Sequence, residues 1–149
     1  RIQRNSFIPG HGEGWALYCE SLMAEMGFLD SPAERFFQAH NLFWRAVRVI
    51  LDISLHTKGM AMEEAAGRLR DDLGFDAAIA EAEAKRYCAY PTYQLCYAVG
   101  RRDILTLRED RRKARAEEFT LAGFHEELLQ YGALPTALAR WGMGLAAVT

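Results

Sequence analysis

The chain lacks most of the features by which a sequence announces a specialised partner or compartment. No sign of charge is in excess, since 18 basic against 20 acidic residues leave a formal charge of −2. Nucleic-acid binding is not expected, because it needs a concentrated basic surface. The one basic cluster, from Arg101 to Arg115, is interleaved with Asp103, Glu109 and Asp110, the pattern of a solvated helix face. No apolar run is long enough to span a membrane. Cysteine is scarce. Cys19, Cys88 and Cys96 form no CxxC pair, which predicts buried, reduced thiols rather than a disulfide framework. Period-two alternation is missing, so no strand is expected. Internal repeats and low-complexity linkers are missing too. The opening Arg1-Ile-Gln-Arg-Asn has neither a methionine nor an apolar leader, and reads as a chain entered partway along. With unpaired cysteines and no export signal, the cytoplasm is the default expectation, with export of a longer protein left open.

What is present is material for one compact domain. Half of the 149 residues are apolar, enough for a core. The punctuation is helical throughout, and an all-α domain spanning residues 1–149 is expected. A first helix runs from about Gly12 to Met26 and stops at Gly27, a left-handed cap. Ser31-Pro32-Ala33-Glu34 forms a capping box that opens a second, long helix with no breaker before Gly59. Phe36, Phe37, Leu42, Phe43, Val47, Ile50, Leu51 and Leu55 supply its apolar stripe. A third helix covers about Met62 to Leu73. A fourth starts near Asp76 and ends before Pro91. A fifth runs from the Pro91 region into the charged stretch, with a bend possible at Gly100. A sixth spans about Leu121 to Tyr131, and a short seventh follows Pro135.

The stretch Glu13-Gly14-Trp15-Ala16-Leu17-Tyr18-Cys19-Glu20 is the most informative. Its two glutamates stand seven positions apart, close to two helical turns, so they share a face with Ala16, Leu17, Met23 and Ala24. A carboxylate on an apolar face is costly unless paired or bound to a cation. The plain alternative puts Glu13 at the helix start, where the macrodipole favours it, and Glu20 at the amphipathic edge. Arg45, Arg48, Asp52 and His56 make a polar ridge along the second helix. It is either a salt-bridged surface or a cleft wall. Tyr87, Tyr90, Tyr93 and Tyr97 crowd around Pro91, a pattern more common in cores than in catalysis.

These blocks resemble, in order, the motifs of a bacterial family labelled a domain of unknown function, whose members look like gluzincin zinc peptidases. Glu13 to Glu20 resembles its EGWALYxE signature. Arg45 to His56 is similar to its RxxRxxxDxxxH helix. Glu83, Arg86, Tyr87, Pro91, Thr92, Tyr93, Tyr97 and Gly100 resemble its ExxRYxxxPTYxxxYxxG segment. Phe124-His125 with Leu128, Gly132 and Pro135 resembles its FHxxLxxGxxP ending. The resemblance implies a zinc site in which an upstream His-Glu-x-x-His helix gives two histidines and a base, and Glu13 is the third protein ligand. Three such ligands leave a fourth position for water. Glu20 would orient a histidine ligand or a substrate-binding basic group.

The ridge becomes, on this resemblance, a cleft wall where Asp52 fixes Arg48 or His56 and His56 contacts substrate. Tyr97 is the expected hydrogen-bond donor to a tetrahedral oxyanion, with Tyr93 the runner-up. Arg48, Arg86 and Tyr93 are candidate substrate ligands. Arg86 either takes a carboxylate bidentately or pairs with Glu83 one turn away, the cheaper arrangement.

One departure is serious. The four histidines, His11, His40, His56 and His125, include no pair four residues apart, so His-Glu-x-x-His is absent. Only twelve residues precede Glu13. Weak zinc affinity and no peptidase activity are expected of the chain in isolation, the rest of the site belonging to an upstream part. His11 lies in the glycine-rich approach to Glu13, His40 is a packing or surface residue, and His125 has a structural role near a helix start. His11-Gly12-Glu13 imitates a zinc-deaminase motif, but the companion Pro-Cys-x-x-Cys is missing. Two functions follow. One is a zinc-dependent peptidase-like hydrolase acting on a peptide or small amide. The other is a non-catalytic helical module that binds a peptide or partner. A structural fragment, whose uncovered apolar faces would drive self-association, is a third outcome.

Overall fold

Ser31, Asp76 and Thr120 each cap the start of a helix with a side-chain oxygen. The computed structural model describes residues 8–146, and the opening Arg1-Ile-Gln-Arg-Asn lies outside that span. The described residues form seven α-helices and no strand: α1 (Pro9–Glu25), α2 (Pro32–Thr57), α3 (Met62–Leu73), α4 (Ala77–Ala89), α5 (Leu95–Arg115), α6 (Leu121–Gln130) and α7 (Thr136–Gly142). A 3-10 turn at Ala116–Glu118 follows α5. None of these helices is long and apolar enough to cross a membrane.

The Ser31 capping box closes in both directions. The Ser31 hydroxyl accepts from the Glu34 amide at 3.2 Å, and the Glu34 carboxylate accepts from the Ser31 amide at 3.0 Å. Asp76 caps α4 by accepting from Ile79 N–H at 3.1 Å. Gly27 takes φ +78°, which lets the Phe28 amide return to the Met23 carbonyl at 2.9 Å and close α1. The start of α1 differs from expectation. Pro9 occupies the first turn, where no amide hydrogen is needed, so Gly10-His11-Gly12 is helical rather than an approach loop. α5 begins later than expected because residues 91–94 form a turn, and it continues unbroken through Gly100.

Two cores form. α2, α3 and α4 enclose Val47, Leu51, Ala65, Ala66, Leu69, Leu73, Ala80, Ala84 and Tyr87. α1, α5, α6 and α7 enclose Tyr18, Leu22, Ile104, Leu107, Phe124, Leu128, Ala139 and Met143. α1 and α5 touch backbone to backbone: a β-carbon on Gly14 would lie 2.5 Å from Gly100.

Three burial expectations are corrected. On α1 the buried face is Gly14, Leu17, Tyr18, Ser21 and Leu22, whereas Ala16 and Met23 are exposed. Glu13 and Glu20 therefore flank the core and do not sit in it. On α2 the expected stripe is only partly buried. Val47 and Leu51 face α3 and α4, but Phe36, Phe37, Phe43 and Ile50 are 63, 64, 50 and 52% exposed. The stripe is wider than one packing face, and its outer side is left largely exposed among the described residues. Arg48, Asp52 and Ser54 are buried instead. Finally, all three cysteines are free, but none is buried and Cys88 is exposed. The charged face of α5 is laced as its mixed signs suggest. Arg112 pairs with Glu109 at 2.8 Å and, with Lys113, holds the Glu109 carboxyl down to about 2.

Candidate functional site

The residues of the α1 motif divide their work around the helix. Gly14 permits the crossing with α5. Trp15 and Tyr18 turn toward α6, where the Tyr18 hydroxyl meets His125 Nε2 at 2.7 Å. Arg108 donates to the same hydroxyl at 3.3 Å, which leaves the Tyr18 proton free for a neutral His125 Nε2 to accept. Burial, with the nearby Arg108 charge, lowers the His125 pKa. The structural role expected of His125 takes this form. Glu13 and Glu20 project to the other side, toward α2 and the start of α5.

There Glu13 accepts a short hydrogen bond from the Tyr93 hydroxyl. That bond raises the Tyr93 pKa, so the phenol keeps its proton. The second carboxylate oxygen of Glu13 accepts from no described residue. The ring of Tyr93 meets that of Tyr97 edge-on at 6.1 Å. Tyr97 in turn lies beneath two guanidinium groups, Arg48 at 5.0 Å and Arg45 at 5.8 Å from its centroid. Glu20 approaches Arg45 at 3.8 Å. Thus Glu13, Tyr93, Tyr97, Glu20, Arg45 and Arg48 form one continuous polar and aromatic face, assembled from α1, α2, the 91–94 turn and the first turn of α5.

The ridge on α2 differs from expectation in its contacts. Arg48, 4% exposed, donates to the Tyr87 hydroxyl at 3.0 Å and to Glu83 at 3.2 Å, and lies 4.1 Å over the Trp44 ring. Arg86 takes the cheaper arrangement and grips Glu83 with Nε and Nη2 at 3.2 and 2.6 Å. Burial opposes ionisation of Glu83, but these hydrogen bonds win and its pKa is lowered. Asp52 fixes neither Arg48 nor His56. It is buried and accepts from the backbone amides of Thr92 at 2.9 Å and Gln94 at 3.3 Å. Those bonds hold Thr92 at φ +68°, a conformation costly for a β-branched residue. Asp52 thereby orients the turn that presents Tyr93. His56 is exposed and its Nε2 meets the Tyr87 carbonyl at 3.1 Å. The tyrosines are not one cluster: Tyr87 is fully buried, whereas Tyr90 is 60% exposed.

Arg45, which the ridge spacing set beside Arg48, belongs to this face. Its Nε is buried with no partner among the described residues. Gln94 is likewise buried with both carboxamide atoms unpartnered there.

The remaining histidines stand apart. His11 is two positions from Glu13, about 200° around the helix, so it faces away. It lines a largely apolar cavity of about 240 Å³ with Leu95, Cys96, Val99 and Pro135. Burial lowers its pKa against a hydrogen bond to Leu134. His40 packs against Phe36 and Phe75 and meets the Leu73 carbonyl at 3.1 Å. Among the described residues no three His, Cys, Asp or Glu side chains converge as a metal would require.

Two solved structures share this architecture. One is described as a "putative lipoprotein" from Colwellia psychrerythraea, with TM-score 0.87 and 33% identity, matching 91% of this chain and 23% of that one. The other, described as a "putative lipoprotein of unknown function" from Shewanella oneidensis, gives 0.80 and 32%, over 90% of this chain and 25% of that one. The chain therefore spans about a quarter of these relatives' length. No curated protein matches it. The model of the family described as "Bacterial protein of unknown function (DUF885)" matches residues 1–143, and the chain belongs to that family.

Proposed function

We propose that this chain is the region of a zinc-dependent, peptidase-like hydrolase that contributes the third protein ligand, Glu13, and one wall of the substrate cleft. The observation that carries this is the Tyr93–Glu13 hydrogen bond, which ties α1 to the start of α5 across 80 positions. It fixes one carboxylate oxygen, and the other has no partner among the described residues, as suits one position in a metal's coordination shell. No second ligand stands beside it among the described residues, so the histidine pair would come from another part of a longer polypeptide. Zinc, when bound, supplies Lewis acidity for hydrolysis of an amide.

The chain's own residues would do the rest. Tyr93 holds the Glu13 rotamer. Tyr97, beneath two guanidinium groups, presents a hydroxyl in a positive field, where a developing oxyanion is stabilised. Glu20 steadies Arg45, and the Arg48–Glu83–Arg86 cluster stiffens the wall. His56, at the open end of α2, contacts the peptide or small amide.

The test uses the full polypeptide that carries this chain. Glu13→Gln is expected to remove most of the zinc seen by metal analysis, and Tyr97→Phe to lower kcat about 100-fold with zinc retained. Full zinc in Glu13→Gln would overturn the assignment. The 149-residue chain alone is expected to bind zinc weakly and to hydrolyse nothing.

A second proposal, a non-catalytic helical module binding a peptide or partner, is favoured by the exposed phenylalanines of α2. A His-Glu-x-x-His helix in the same polypeptide decides against it. Unpaired cysteines favour the cytoplasm, while the descriptions of the two solved relatives favour export. Fractionation of the native cells separates these two.

A further inference from the structure

Three guanidinium groups face the seam between the cores, and two of them are spoken for. Arg48 has Tyr87 and Glu83, and Arg86 has both oxygens of Glu83. Arg45 is different. Its side chain is only 15% exposed, yet among the described residues its contacts are a long 3.4 Å hydrogen bond to the Asn41 carbonyl and Glu20 at 3.8 Å. Its Nε is buried and unpartnered. A guanidinium carries five N–H donors in a planar fork, so most of its capacity is unspent.

The Trp44 and Tyr97 rings lie 4.8 and 5.8 Å from the guanidinium carbon and take none of its N–H donors.

We infer that Arg45 is a carboxylate-binding subsite that receives the C-terminal or side-chain carboxylate of a bound peptide, one ring away from Tyr97. This rests on the cleft reading above in placing the ligand, though not on zinc. A planar, bidentate carboxylate matches the free edge of the fork. Glu20, too distant for a hydrogen bond, guards the subsite in the empty state and competes with the incoming anion.

The experiment is isothermal titration of the full polypeptide, stripped of zinc with chelator, using three N-acetylated alanine tripeptides. One has a free C-terminal carboxylate, one is its C-terminal amide, and one is the amide with a central glutamate. At least one carboxylate peptide is expected to bind 10-fold or more tighter than the plain amide, as a charge-assisted pair provides. The arm that binds identifies the terminal or side-chain source. Arg45→Gln should bring that peptide down to the level of the amide. Glu20→Gln should tighten it several-fold, a gain that misfolding cannot produce. Equal binding of all three peptides, or an Arg45→Gln protein that keeps the preference, overturns the inference. Because zinc is absent throughout, the outcome is separate from that of the Glu13 test: a zinc-bearing hydrolase with no carboxylate preference would refute this subsite alone.

Discussion

The two cores of the molecule bury different kinds of polar group. Around α2, α3 and α4 the packing is of small residues, with Ala65, Ala66, Ala80 and Ala84 fully or almost fully buried. Helices that approach so closely leave room above them for long side chains, and a charged arginine and aspartate are buried there. Around α1, α5, α6 and α7 the packing is aromatic, and the polar pair inside it, Tyr18 and His125, is neutral. Fully buried charge marks the first half, whereas the ion pairs of the second, Arg111 with Glu127 and Arg140 with Asp110, lie at its partly exposed rim. The candidate site lies on the seam and borrows from both: its arginines come from the charged half, and the spacing of Glu13 and Tyr93 comes from the crossing in the aromatic half.

The contrast can be broken most severely at the crossing. Gly100→Ala would drive a methyl group into the carbonyl of Gly10, and a loss of about 3 kcal/mol or more is expected in urea unfolding. In the charged half, Asp52→Ala leaves two turn amides without their acceptor and frees the Thr92 turn. The expected cost is about 2–3 kcal/mol, together with loss of the Tyr93–Glu13 contact in tyrosine hydroxyl NMR signals.

A pH titration sharpens the comparison. The His125 pKa is lowered in the folded state, so the unfolded chain binds the proton more readily. The contribution of neutral His125 is whole above about 6.5, the unfolded value, and is lost as pH falls below it. The thermal midpoint should drop by a few degrees below that pH, and His125→Gln should flatten the drop, leaving the contribution of His11. The smallest effect on stability belongs to the outer side of α2. Phe36→Ser with Phe37→Ser should change unfolding by no more than about 0.5 kcal/mol, but should reduce any concentration-dependent association of the chain in gel filtration.

Most of the fold was legible because caps act locally. Ser31, Asp76, Gly27 and Gly74 each stop or start a helix through atoms a few positions away, and the sequence places them correctly. Burial was not legible to the same degree. The wide stripe on α2 has two sides, and periodicity does not say which side α3 and α4 will take. In the candidate site, Glu13, Tyr93 and Tyr97 do come together, and the pairing of Arg86 with Glu83 follows from one-turn spacing. The partner of Asp52 was hidden because it is a backbone turn some 40 positions away. The ridge spacing set Arg45 beside Arg48, but an Nε left without a partner among the described residues makes no mark in a sequence.

The meeting of Gly14 with Gly100 bears on how the cleft can move. Helices separated by side chains adjust to a ligand by exchanging rotamers in the layer between them. α1 and α5 have no such layer at their crossing, so they must travel as one rigid unit, carrying Glu13 and Tyr93 together. α2 is joined to that unit through Asp52 and the amides of Thr92 and Gln94, so any shift of its arginines relative to Glu13 and Tyr93 has to break or bend those two hydrogen bonds.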